Sequence, residues 1–88
     1  MADDGLPRAE ARRREYGKMV RQKAEGARVA IRNIRREEVQ RVDRMQKDGD
    51  VPEDEAKRAL ERLQKITDLH VGRVEHLATA KESEVMEV

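Results

Sequence analysis

One hexapeptide, Lys47-Asp48-Gly49-Asp50-Val51-Pro52, divides the chain into two long stretches with no other turn signal of comparable strength inside them. The only other such signal, Gly5-Leu6-Pro7, lies close to the start. Both stretches are rich in Ala, Arg, Glu, Lys, Leu and Gln, residues that favour helix. In the first, the less polar positions are Tyr16, Val20, Ala24, Ala27, Ile31, Ile34, Val42 and Met45, with Glu38 as the one interruption. In the second they are Ala56, Ala59, Leu60, Leu63, Ile66, Thr67, His70, Val74, Leu77 and Val85. Steps of three and four at 100° per residue confine the first set to one band of roughly 80°, and the second set traces a band along one side of its own helix. A strand would need period two, and no useful length of it occurs. The predicted fold is therefore all-α: two long antiparallel helices joined as a hairpin. The expected boundaries are a flexible N-terminus over 1–7, a helix over 8–47, a turn over 48–51 and a helix over 52–86.

The boundaries have local causes. Pro7 suits a first helical turn, where its missing N–H has no partner to lose. Gly49 suits the left-handed residue that ends a helix, with Lys47 in the preceding turn. Asp50 and Glu53 have capping-box spacing, and Glu53, Asp54 and Glu55 put negative charge at the positive end of the second helix. Gly17, Gly26 and Gly72 fall inside helices, at a cost of about 1 kcal/mol each relative to Ala.

Composition then limits what such a hairpin can do. Charged residues make up 44% of the chain and apolar ones 36%; Tyr16 is the one aromatic, and Cys, Trp and Phe are absent. So short and polar a chain cannot enclose a dry pocket, which argues against an enzyme and gives no catalytic residue to propose. Disulfides and thiolate metal sites are excluded. No uncharged run approaches the ~20 residues that span a bilayer, and the opening MADDGLPRAE lacks the pattern of a secretory leader. A cytoplasmic setting without membrane contact is the expectation. Two amphipathic helices lacking a large aromatic also bury little, so a third helix or a second hairpin is needed to complete the core.

The charge is unevenly spread. From Arg8 to Lys47 there are 14 Lys/Arg against 6 Asp/Glu, and from Asp50 to Val88 there are 6 against 10. Within the first helix Arg14, Arg21, Arg28 and Arg35 recur every seven residues, drifting only ~20° per step. Arg32 and Arg36 share their side. With Ile31 as zero these six span roughly 40° to 140°, beside the apolar band rather than within it. Glu25 and Val39 are the main non-basic residues of that face. Such a row suits two uses. It can pair with phosphates, to which the planar guanidinium binds in bidentate fashion. It can equally pair with the neighbouring helix, where Glu61, Asp68 and Glu75 are also seven apart. Base-specific reading is not expected, because the face has no aromatic on which bases stack.

Other candidates carry less. His70 stands on the second apolar band as a buried or boundary residue, and His76 is ~120° away, so the two cannot share a metal ion. The carboxylates gather in no pocket that would tune their acidity. Met19, Met45 and Met86 read as gap fillers. No metal or cofactor site is expected.

The residues themselves carry a family resemblance. Ala24-Glu25-Gly26-Ala27-Arg28-Val29-Ala30-Ile31-Arg32-Asn33-Ile34-Arg35-Arg36 resembles the most characteristic motif of ribosome recycling factors. The similarity continues through Lys47–Asp50, Glu53–Glu55, Leu63–Asp68 and the terminal Lys81–Val88, and so runs from about Leu6 onward. It implies one part of an L-shaped fold, in which a small β domain is inserted between the first and second helices of a three-helix bundle. This chain is similar to the C-terminal half, without the first helix or the β domain. Ala9, Pro52 and His70 depart from the Thr, Ser and aromatic residues common there.

The resemblance further implies binding to large-subunit ribosomal RNA and, with elongation factor G, dissociation of post-termination ribosomes. Carried over residue by residue, the RNA-binding arginines are Arg13, Arg28, Arg32, Arg35 and Arg36, with Glu25 as an accompanying acid. The helical face adds Arg14 and Arg21. Arg13 lies nearer the apolar band, so for it the two arguments diverge. The competing expectation is a coiled-coil module that dimerises through its apolar seams into a four-helix bundle.

Overall fold

The computed structural model describes residues 5–87, with side chains over 8–86. Helix α1 runs Gly5–Lys47 and α2 runs Glu53–Glu87, packed antiparallel as a hairpin. The molecule is a rod of 73 × 16 × 8 Å with a radius of gyration of 20.6 Å. A globule of this length would have a radius near ~12 Å. Helix α1 starts three residues before Arg8, with Pro7 inside its first turn, where a missing N–H breaks no intrahelical bond. Of the expected flexible segment 1–7, residues 5–7 are therefore helical, and residues 1–4 lie outside the described residues.

The turn closes by a Schellman arrangement. Asp50 N–H donates to the Met45 carbonyl at 2.8 Å and Gly49 N–H to Gln46 at 3.0 Å, with Gly49 at φ 79°. These bonds satisfy carbonyls that the helix end leaves free. The sequence pattern placed Asp50 as the cap of α2, and here the structure differs. Ala56 N–H donates to the Pro52 carbonyl at 3.0 Å, which makes Pro52 the capping position. Asp50 lies two residues too early to reach the free amides of α2. Glu53, Asp54 and Glu55 occupy the first turn of α2, and Arg44 and Lys47 the last turn of α1, each favourable to the helix dipole.

Only Ala24 and Ala56 are buried among the described residues, and neither completely. Val20, Ala27, Ile31, Val42 and Met45 of α1 face α2 half-buried, as do Leu60, Leu63, Thr67, Val74 and Val85 in return. Thr67 satisfies its hydroxyl on the Leu63 carbonyl at 2.7 Å. The apolar bands are wider than one partner can cover, so their edges remain in solvent. Tyr16, Ile34, Ile66 and Leu77 are 49%, 59%, 54% and 60% exposed. His70, expected at a buried or boundary position, is exposed with them. The uncovered edges line shallow grooves along one flank, among them one formed by Val20, Ala27, Val74, Leu77 and Lys81.

Candidate nucleic-acid interface

The opposite flank carries the arginines. A helix without proline after its first turn keeps its 100° step over 43 residues, so positions seven apart stay in line. Arg14, Arg21, Arg32 and Arg36 are exposed along it, whereas Arg28 and Arg35 sit half-buried against α2. The difference follows from angle: Arg28 and Arg35 are the members of the set closest to the apolar band.

Arg28 is held on both sides. Its Nε donates to Oε2 of Glu25, one turn back, at 3.0 Å, and its Nη2 forms an ion pair with the same oxygen at 2.9 Å. Its Nη1 donates to Oε1 of Glu75 on α2. Its side chain is 26% exposed, against 55% for Glu25 and 53% for Glu75. The hydrogen bond to Glu25, followed by that to Glu75, raises the guanidinium above its ordinary pKa, against a smaller opposing effect of burial.

Arg35 is held differently. Its Nη1 donates to the amide oxygen of Gln64 at 2.8 Å, and Gln64 Nε2 donates to Asp68 Oδ1 at 2.8 Å. Arg35 therefore meets a neutral group, with the carboxylate one link further away. Arg14 makes a long, exposed pair with Glu10 at 3.8 Å. Among the described residues no carboxylate lies within ion-pair distance of Arg21, Arg32 or Arg36.

Of the two uses that the heptad spacing allowed, pairing with the neighbouring helix is present at the Arg28 rung, and Arg21, Arg32 and Arg36 take no part in it. Glu75 pairs with α1, Asp68 reaches it only through Gln64, and Glu61 has no ion pair among the described residues. Arg13 is not brought to this flank. It is half-buried and lines a groove with Ala9, Arg12, Tyr16, Glu84 and Val85 at the far end of the hairpin. The residue missed from sequence is Gln64. Its signal was its position between Glu61 and Asp68, on the face of α2 that carries the acids.

Chemically, the flank offers three unpaired guanidiniums and one aimed by an amide, on a rigid rod, with no stacking aromatic. Such a surface suits phosphate oxygens rather than base edges. No group of three His, Cys, Asp or Glu among the described residues is placed to hold a metal ion. No helix of the described residues is long and apolar enough to cross a membrane.

Comparison with known proteins finds relatives that share this flank's sequence region. The family profile described as "Ribosome recycling factor" matches residues 6–86, which include the whole arginine flank. The ribosome-recycling factor of Symbiobacterium thermophilum is 49% identical over 82 residues, 93% of this chain and 44% of that protein. That of Acidothermus cellulolyticus is 48% identical over the same shares, and that of Nitrosococcus oceani 48% identical over 79 residues. The chain spans about 44% of the length of the first two relatives.

Proposed function

The chain belongs to the ribosome recycling factor family, and from that premise we propose that it acts in cytoplasmic translation as a binding protein. Its ligand is large-subunit ribosomal RNA, held by the arginine flank of α1. The observation that carries this reading is the run of uncompensated guanidiniums, Arg21, Arg32 and Arg36, with Arg35 held open by Gln64. Each would neutralise a phosphate, and four such contacts give a log–log salt slope of about −3. Arg14, only loosely tied to Glu10, extends the row, and Arg13 enters through the family resemblance alone.

The test is binding of the 88-residue chain to purified large ribosomal subunits at several salt concentrations. Arg32→Ala with Arg36→Ala is expected to weaken binding and to flatten the slope by about 1.4–1.8. Unchanged affinity and slope would refute the reading. Dissociation of post-termination ribosomes is a further, separable proposal. It is checked by adding the chain, elongation factor G and GTP to such ribosomes, and it fails if subunits separate no faster than without the chain.

A second reading is favoured by the apolar flank. The chain exposes 7400 Å², against about 5300 Å² for a compact globule of this mass. Pairing of two hairpins through the exposed Ile34, Ile66 and Leu77 into a four-helix bundle would remove part of that excess. Because the arginines lie on the other flank, a dimer would leave them available.

A further inference from the structure

We infer that Glu75 of α2 is a positioning residue for the RNA-binding flank: by clamping Arg28 it withdraws that rung from phosphate contact and leaves the task to Arg21, Arg32, Arg35 and Arg36. The inference rests on the RNA-binding reading and refines it. Arg28 turns Nε and Nη2 to Glu25 and Nη1 to Glu75, so all three of its guanidinium nitrogens already lie within ion-pair distance of carboxylates. One positive and two negative charges leave the rung with a local sum of −1. The acids are also the outer side chains: those of Glu25 and Glu75 are more than half exposed, whereas the Arg28 side chain between them is about a quarter exposed. A phosphate approaching this rung meets anions first. To reach Arg28 it must displace one of them, exchanging one anion for another with no gain in charge.

Arg35, seven residues on, shows the contrast. Only its Nη1 is engaged, and its partner is a neutral amide. The guanidinium keeps free donors and is aimed rather than neutralised. Two α2 side chains thus set two roles on α1. Glu25 alone would not suffice, because it leaves Nη1 free and its pair with Arg28 neutral. Glu75, reaching from 47 residues away, closes the cage.

The test is a double-mutant cycle on binding to purified large-subunit ribosomal RNA, with helicity followed by circular dichroism. In the unaltered chain, Arg28→Ala is expected to change affinity by less than about twofold and to leave the salt slope as it was. Glu75→Gln frees Arg28, so the slope steepens by about 0.7–0.9 and binding at 0.1 M salt tightens about five- to eightfold. Adding Arg28→Ala to Glu75→Gln abolishes that gain. Glu61→Gln makes the same charge change on the same flank without freeing an arginine, and is expected to leave the slope unchanged.

The inference is overturned if Arg28→Ala costs as much as Arg32→Ala, or if Glu75→Gln steepens the slope no more than Glu61→Gln. A measurement that needs no variant guards against misfolding. In the NMR spectrum of the unaltered chain, added RNA should shift the Arg32 and Arg36 Nε–H signals and leave that of Arg28 in place. Movement of Arg28 as large as that of Arg32 overturns the clamp. Failure of the unaltered chain to bind RNA overturns the RNA reading and the clamp's role with it, whereas binding with the wrong Arg28 pattern overturns the clamp alone.

Discussion

Gly49→Ala and Gly26→Ala are the same chemical change, yet the hairpin requires them to move stability in opposite directions. Gly49 ends α1 at φ 79°, in the left-handed region. A Cβ there meets no neighbouring atom within 4 Å, so the whole penalty is the backbone conformation, about 1–2 kcal/mol for an L residue. Gly26 and Gly72 lie within helices, and a Cβ at either also meets nothing within 4 Å. There the only effect is helix propensity, a gain of about 0.8–1.0 kcal/mol each. In a domain of this size, 1 kcal/mol moves the unfolding midpoint by roughly 4–8 °C. Gly49→Ala should therefore lower the midpoint by about 4 °C or more, and Gly26→Ala with Gly72→Ala should raise it by roughly 6–16 °C. The assay is thermal unfolding followed by far-UV circular dichroism at one fixed protein concentration, because self-association would move the midpoint with concentration. A Gly49→Ala chain as stable as the original would refute the left-handed turn. A less stable Gly26→Ala chain would refute an unbroken α1, and with it the alignment on which the arginine row depends.

Three further outcomes follow from the same geometry. Gln64→Ala removes the amide that aims Arg35, and should weaken binding to large-subunit RNA about two- to threefold while the salt slope stays within about 0.3 of its value, since the charge remains. Arg13→Ala should flatten that slope less than Arg32→Ala does, because Arg13 sits in the groove beside Tyr16 and Val85 rather than on the row; equal flattening would contradict its placement. If hairpins pair through the apolar flank, sedimentation equilibrium should show mass rising with concentration, and Ile34→Gln with Leu77→Gln should hold the chain at monomer mass with its helicity intact.

What could be read from the amino acids, and what could not, divides along a physical line. The helices and their antiparallel return follow from local chemistry: the three–four spacing of Val20, Ala24, Ala27 and Ile31, and the turn residues around Gly49. The alignment of Arg14, Arg21, Arg28 and Arg35 follows from the helical step alone. The fate of each guanidinium does not, because it depends on which α2 side chain stands opposite. Only the folded register sets Glu75 against Arg28 and Gln64 against Arg35. The same limit explains the misplaced cap. Asp50 and Glu53 have the spacing of a capping box, but the Schellman bonds draw Asp50 into the end of α1 and leave Pro52 to begin α2. It also explains the exposure of Ile34, Ile66, His70 and Leu77. A periodic pattern gives the width of an apolar band, and not the number of helices that cover it.

Whether the arginine flank of α1 faces ribosomal phosphates, as proposed, is open to a direct proximity measurement. The chain contains no cysteine, so a single introduced thiol can carry an iron chelate that generates hydroxyl radicals. Val29 is exposed beside the arginine row, and Leu77 is exposed on the apolar flank. With the chain bound to large ribosomal subunits, a chelate at Val29→Cys should cut the large-subunit RNA at a discrete cluster of positions, and one at Leu77→Cys should cut it weakly or elsewhere. Equal cutting from both positions, or cutting from Leu77→Cys alone, would contradict the proposal.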